Sequence, residues 1–200
     1  MITVCTCPVP TALPDVVTDI PCYENFGQIQ KLVFWRRGNS IASVATALLE
    51  ATWTALLASA TNDKAVPSPF ISGGSVTAGE PRQYGSGNEV LDGIPIMIGS
   101  EFSPFEGMIL RYDQATVALL KELQCEELDV IFINENGQFG YSDVGGEFQG
   151  FPIAGFFVSD LTLPGYAEVN RNAIKFSLRP GWSDTFMISE ATDFALNMTN

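Results

Sequence analysis

Glycine and proline recur 18 and 12 times along these 200 residues, and that leaves little room for long regular elements. The strongest helical pattern falls at 41–59, where neither occurs. There Ile41, Val44, Leu48, Ala51, Ala55 and Ala58 recur at three- and four-residue steps, and Leu49, Trp53, Leu56 and Leu57 widen the stripe. That period predicts one long core helix, capped by Ser40 and ended by the polar run 60–63. Elsewhere the apolar residues come mostly in short runs between turn signals, the pattern of strands. Such runs lie at 31–35, 94–98, 108–112, 130–133, 138–141, 151–160, 173–178 and 185–188. Asn136-Gly137 predicts a hairpin turn, since both residues tolerate positive φ. Residues 173–178 alternate, with Ile174, Phe176 and Leu178 on the face expected to be buried. A shorter helix is expected after Asp113, burying Ala115, Leu119, Leu120 and Leu123. The fold class is therefore mainly β (α+β).

Two segments stand apart from this pattern. Residues 1–22 contain Pro8, Pro10, Pro14 and Pro21. Proline fixes φ and removes an amide donor, so the segment reads as an extended N-terminal arm. Residues 61–93 are broken by Pro67, Pro69, Gly73, Gly74, Gly79, Pro81, Gly85, Gly87 and Gly93. A structureless loop of that length is uncommon unless it packs elsewhere. It reads as a long excursion, a loop or hairpin reaching a neighbouring subunit. The remaining chain, 23–200, is expected to form a single β-rich domain around that loop.

Charged residues make up only 16% of the chain against 46% hydrophobic, which suits a subunit covered by its neighbours. Acidic residues outnumber basic ones 23 to 10, for a net charge of −13. Phosphate neutralisation needs clustered Lys and Arg, so nucleic-acid binding of that kind is excluded. A field of this sign serves solubility or repels a polyanion. There is no histidine, so Ser–His–Asp and Cys–His catalysis within one chain is excluded. Cys5, Cys7, Cys22 and Cys125 lack zinc-site spacing and read as free thiols. Gly85-Ser-Gly-Asn and Gly145-Gly146 lack the lysine and spacing of a phosphate loop and read as turns. Asp143, Glu147 and Asp160 do not follow the calcium-loop pattern, and Ser103, Ser159 and Ser183 have no partner base. No enzymatic activity, metal or cofactor is expected. The most apolar long stretch, 41–60, carries Glu50 and is too short and polar to span a bilayer. The first residues also lack the basic region of a signal peptide, so no membrane partner is expected.

Four strings carry a resemblance. They are Glu80-Pro-Arg-Gln-Tyr-Gly-Ser-Gly-Asn, Ile131-Phe-Ile-Asn-Glu-Asn-Gly-Gln-Phe-Gly, Phe151-Pro-Ile-Ala-Gly-Phe-Phe-Val-Ser-Asp-Leu, and Ile174-Lys-Phe-Ser-Leu-Arg-Pro-Gly-Trp-Ser-Asp. Together they resemble virion structural proteins of phages and prophages of gut Bacteroidetes, over roughly 22–184. A tail tube subunit is the member of that class that best matches the size, strand content and central helix. The resemblance implies an antiparallel β-sandwich or barrel with a packed helix, and homo-oligomeric rings around a channel. It implies a virion location, assembly in the bacterial host cytoplasm, other virion proteins as partners, and phage DNA passing without specific binding. An acidic lumen would keep that DNA sliding. Glu135, Asp143 and Glu147 are the candidate lumen residues, because no basic residue falls between Glu122 and Asp160. Alternatives are a head–tail connector, tail-completion or capsid-decoration protein, or a carbohydrate- or surface-binding module stacking sugar on Trp182, Tyr84 and Tyr166.

Overall fold

A computed structural model describes residues 26–85, 95–110, 112–166 and 168–191. The expected arm at 1–22, with Cys5, Cys7 and Cys22, lies outside the described residues. The strands are β1 (Ile29–Arg36), β2 (Ser40–Ile41), β3 (Val66–Pro67), β4 (Ile71–Val76), β5 (Pro81–Tyr84), β6 (Ile96–Ser100), β7 (Ser103–Leu110), β8 (Leu128–Asn134), β9 (Gln138–Val144), β10 (Glu147–Gln149), β11 (Phe151–Val158), β12 (Arg171–Leu178) and β13 (Phe186–Glu190). The helices are α1 (Val44–Ala47), α2 (Glu50–Ala58) and α3 (Gln114–Glu122).

Six strands close a barrel in the order β1, β8, β11, β12, β7, β4 and back to β1, each pairing antiparallel. Closure leaves this part of the sheet no open edge. Its interior is filled by alternate residues of each wall: Leu32 and Phe34, Val130 and Phe132, Ile174, Phe176 and Leu178, Phe105 and Ile109. Phe105 and Phe176 stack at 4.4 Å. The predicted alternation of 173–178 is borne out, with Ile174, Phe176 and Leu178 all pointing into the barrel.

β1 and β8 are buried on both faces, which is why they read as nearly unbroken apolar runs. Their outer residues Val33, Trp35, Ile131 and Ile133 belong to a second core with Phe139, Tyr141 and Phe148, and this core packs against Ala47 and Trp53 of the helices. β9 carries the sheet beyond the barrel, pairing with β8, β10 and β13.

The long helix expected at 41–59 is broken. Ser40 and Ile41 pair with β10, and Ser43, not Ser40, caps α1 by accepting from the Thr46 amide at 3.2 Å. The chain then turns extended at Leu49 before α2 begins. Side chains of α2 take up the carbonyls freed at the end of α1. Trp53 Nε1 donates to the Ala47 carbonyl at 2.7 Å and Thr52 Oγ1 to that of Thr46 at 2.8 Å. The break thereby satisfies a helix end and brings Trp53 flat against Phe139 at 5.1 Å.

The shorter helix starts after Asp113 as expected and buries Leu120 and part of Leu123 as expected, but Val117 joins them in place of Ala115 and Leu119. Val117 and Leu120 are buried, with Leu123 partly so, whereas Ala115 is exposed and Leu119 is 63% exposed. Gln124 donates to the Val158 carbonyl, which anchors the helix end to β11.

Within the expected loop at 61–93, the described residues 61–85 are more regular than their glycines and prolines predict. β3 pairs with β1, and β4 is a barrel wall strand that buries Ile71. Gly73-Gly74 sits where the pairing of β4 with β7 shifts register, so these glycines mark a bulge inside a strand.

Where β10 passes into β11, Gly150 lies against Trp35 and Asp129. A Cβ at this position would fall 2.6 Å from the Trp35 indole nitrogen and 2.9 Å from Asp129 Cβ. Asp129 is buried, accepts from the Gly38 amide at 3.0 Å and lies 3.6 Å from Arg37 Nε. Burial raises its pKa above the ordinary aspartate value, only partly offset by that amide and the Arg37 and Arg179 charges. A raised folded-state pKa means that the group's favourable contribution is complete below the unfolded value and is lost as pH rises through the folded one. Asp129→Asn is therefore expected to gain on wild type between acid and neutral pH, as read by urea unfolding at both. An equal difference at the two pH values would place Asp129 at its ordinary pKa.

Candidate assembly surface

β4 and β7 do not end at the barrel. Beyond Val76 and Phe105 the two chains stay paired through Thr77 N to Pro104 O at 2.9 Å, Gly79 N to Ser103 Oγ at 3.2 Å and Glu101 N to Glu80 O at 2.8 Å. They then become the β5–β6 ribbon, with Tyr84 opposite Ile96 and Gln83 opposite Met97. The eight residue steps from Val76 to Tyr84 let this arm reach at most about 25 Å. Every residue of β5 and β6 is exposed. Tyr84, Ile96, Met97 and Ile98 are each more than half exposed. A two-stranded ribbon alone in water is marginal, and four large apolar side chains standing free on one mark a contact surface.

The outer faces of β4, β7, β12 and β11 form a second uncovered surface. In cross-strand order one row runs Ser75, Glu106, Lys175, Phe157, and Met108 and Ala173 form the next. Met108 and Phe157 are 42% and 49% exposed. A groove of about 300 Å³ runs over Gly73, Ser75, Met108 and Ala173. Lys175 pairs with Glu106 at 2.6 Å and Arg171 with Glu168 at 3.3 Å. On the arm, Arg82 pairs with Glu101 at 3.5 Å.

The three candidate lumen carboxylates fall at opposite ends of β9. Asp143 and Glu147 share the β9–β10 hairpin. Asp143 accepts from the Gly146 amide at 2.9 Å, and Glu147 from Gln149 Nε2 at 3.1 Å. Gly145 and Gly146 both hold φ values near +80°, as the turn reading of this pair predicts. Glu135 lies in the β8–β9 turn, eight residues and roughly 25 Å of strand away, where its carboxylate accepts from the Gln28 amide. The structure thus puts Asp143 and Glu147 on one hairpin but on opposite faces of it, since Asp143 lies opposite Phe148 and Glu147 opposite Val144, and sets Glu135 at the far end of β9.

The three aromatics of the sugar-binding alternative do not share a surface. Trp182 packs edge-on against Phe151 and Phe186 at 5.3 and 5.8 Å, Tyr84 is on the arm, and Tyr166 is in the loop before β12. The apolar arm residues Ile96, Met97 and Ile98 were readable in sequence only as a strand. Nothing in that run tells whether the strand lies on a core. Among the described residues no group of three His, Cys, Asp or Glu side chains is placed to hold a metal, and no helix is long and apolar enough to cross a membrane.

No known family matches the chain, and no curated protein is detectably similar in sequence. Among solved structures it is similar to a chain of "Tail of empty GTA particle computed with helical refinement, C6 symmetry", with 11% identity and a TM-score of 0.34 over 62% of this chain and 88% of that one. It is also similar to a chain of "Cryo-EM structure of the anti-feeding prophage (AFP) baseplate, 6-fold symmetrised", with 13% identity and a TM-score of 0.32 over 91% of this chain and 99% of that one. At these identities and TM-scores neither likeness extends to function.

Proposed function

We propose that this chain is a structural subunit of a phage virion, the major tail tube protein, which self-associates into stacked rings around an acidic DNA channel. The observation that carries the reading is the arm: a paired ribbon projecting from the barrel with Tyr84, Ile96, Met97 and Ile98 all uncovered. Such a ribbon is stable when a neighbour covers it. The excess of carboxylates supports the channel, since a conduit for a polyanion must repel it. Negative-stain imaging of the purified chain tests the reading. Tubes with a central channel support it, isolated rings point to a head–tail connector or another virion part, and monodisperse single chains overturn it.

The lumen candidates are Asp143 and Glu147 on the β9–β10 hairpin and Glu135 at the far end of β9. Asp143→Lys with Glu147→Lys replaces repulsion by attraction for phosphate. The expected result is assembled tubes whose particles eject DNA more slowly at low salt than at high salt, because salt screens exposed charges. Normal ejection at both salt concentrations removes the β9–β10 hairpin from the lumen. Failure of the tubes to assemble moves it to a subunit contact.

A further inference from the structure

We infer that Glu135 is a positioning residue, which together with Asn134 clamps residues 26–28 and so sets where the chain before them leaves the barrel. Both residues belong to the β8–β9 turn. Asn134 is fully buried. Its side-chain oxygen accepts from the Asn136 and Gln138 amides at 2.9 and 2.8 Å, which holds the turn in shape. Its Nδ2 donates to the Phe26 carbonyl at 2.5 Å and to Gln138 Oε1 at 2.7 Å. Glu135 takes both backbone groups of Gln28. Its amide donates to the Gln28 carbonyl at 3.1 Å, and its carboxylate accepts from the Gln28 amide. Gln28 is thus paired much as in a strand, with a charged side chain standing in for one carbonyl.

The neighbouring positions are shaped to this clamp. Gly27 holds φ at +72°, and a Cβ there would fall 2.5 Å from Glu135 Oε1. Phe26 meets Phe186 edge-on at 5.5 Å and lies over Gly140, where a Cβ would fall 2.9 Å from its ring. Glu135 itself is exposed, so its side chain fills no core. Just beyond the clamp, Ile29 lies opposite both Asn134 of β8 and Gly74 of β4, and β4 runs on from Gly74 through Val76 into the arm. The clamp therefore stands at the barrel end from which the arm departs, and it fixes the exit of the chain there. This gives one of the three lumen candidates a separate task, and it does not depend on the self-assembly reading.

Hydrogen exchange of the Gln28 amide in the full chain tests the assignment. Glu135→Ala removes the acceptor and is expected to speed that exchange about tenfold or more, the effect of losing a hydrogen bond to a charged group. Glu135→Gln removes the charge but keeps an acceptor oxygen, and is expected to retain most of the protection. Gly27→Ala is expected to behave like Glu135→Ala, because the added methyl group displaces the carboxylate. The Phe132 and Ile174 amides in the barrel wall are expected to exchange as in wild type in all three variants. Chymotrypsin cleavage after Phe26 is expected to rise with the Gln28 exchange rate. A Gln28 amide as slow in Glu135→Ala as in wild type overturns the clamp. Equal acceleration in the alanine and glutamine variants also overturns it, since charge and not the bond would then be responsible. Equal acceleration at Phe132 and Ile174 would make Glu135 a general stabiliser and overturns it as well. Assembly of the same variants is read separately by imaging, so failure of the clamp leaves the tube reading standing.

Discussion

Trp53→Ala is expected to lower the stability of the fold by about 3–5 kcal/mol, the range for deleting a buried large aromatic. The indole is 2% exposed, stacks on Phe139 at 5.1 Å and meets Phe148 edge-on at 6.1 Å. It also gives its N–H to the Ala47 carbonyl, so its removal both opens a cavity and frees a carbonyl at the end of α1. Trp53→Phe separates the two effects. It retains a ring but not the donor, and is expected to lose less than alanine. Chemical denaturation with a fluorescence or circular dichroism readout checks both. A loss for Trp53→Ala within about 0.5 kcal/mol, the usual range of surface changes, would remove this residue from the second core.

Shortening the arm at residues 80–101 is expected to abolish higher assembly while leaving thermal unfolding of the barrel nearly unchanged. Every residue of β5 and β6 is exposed, and the Thr77–Pro104 and Gly79–Ser103 bonds remain to close the ribbon. The cut must not begin earlier. Removing residues 66–88 would take out β4, a wall of the barrel carrying buried Ile71, and is expected to unfold the chain. Retained oligomers in the shortened variant would place the subunit contact elsewhere.

How much of this was legible follows from what each residue reports. The run 130–133 is apolar at every position because β8 is covered on both faces, and the alternation at 173–178 is clean because β12 is covered on one. Both patterns are local and can be read without a partner. Barrel closure is not local: β1 meets β8 about a hundred residues later in the chain, and no periodicity records that pairing. The split helix depended on Thr52 and Trp53 reaching back to carbonyls six residues earlier, a choice that the apolar stripe at 41–59 does not contain. The face of α3 was read only in part, with Leu120 and Leu123 right and Leu119 wrong, because Leu119 and Leu120 are equally apolar and docking selects the stripe through Val117 and Leu120. At the candidate site, Asp143 and Glu147 are four residues apart and joined by a glycine turn, so their shared hairpin was readable, whereas the register that sets them on opposite faces was not. The separation of Glu135 depended on β9 running straight between the two turns.

The most direct test of the central claim is the mass of the full chain in solution by light scattering, at low and at raised salt, beside the arm-shortened variant. The account predicts a full chain at a multiple of its single-chain mass, with the larger assemblies favoured at raised salt because screening weakens repulsion between acidic subunits, and a shortened variant at single-chain mass throughout. A full chain that stays at single-chain mass at both salt concentrations would contradict it.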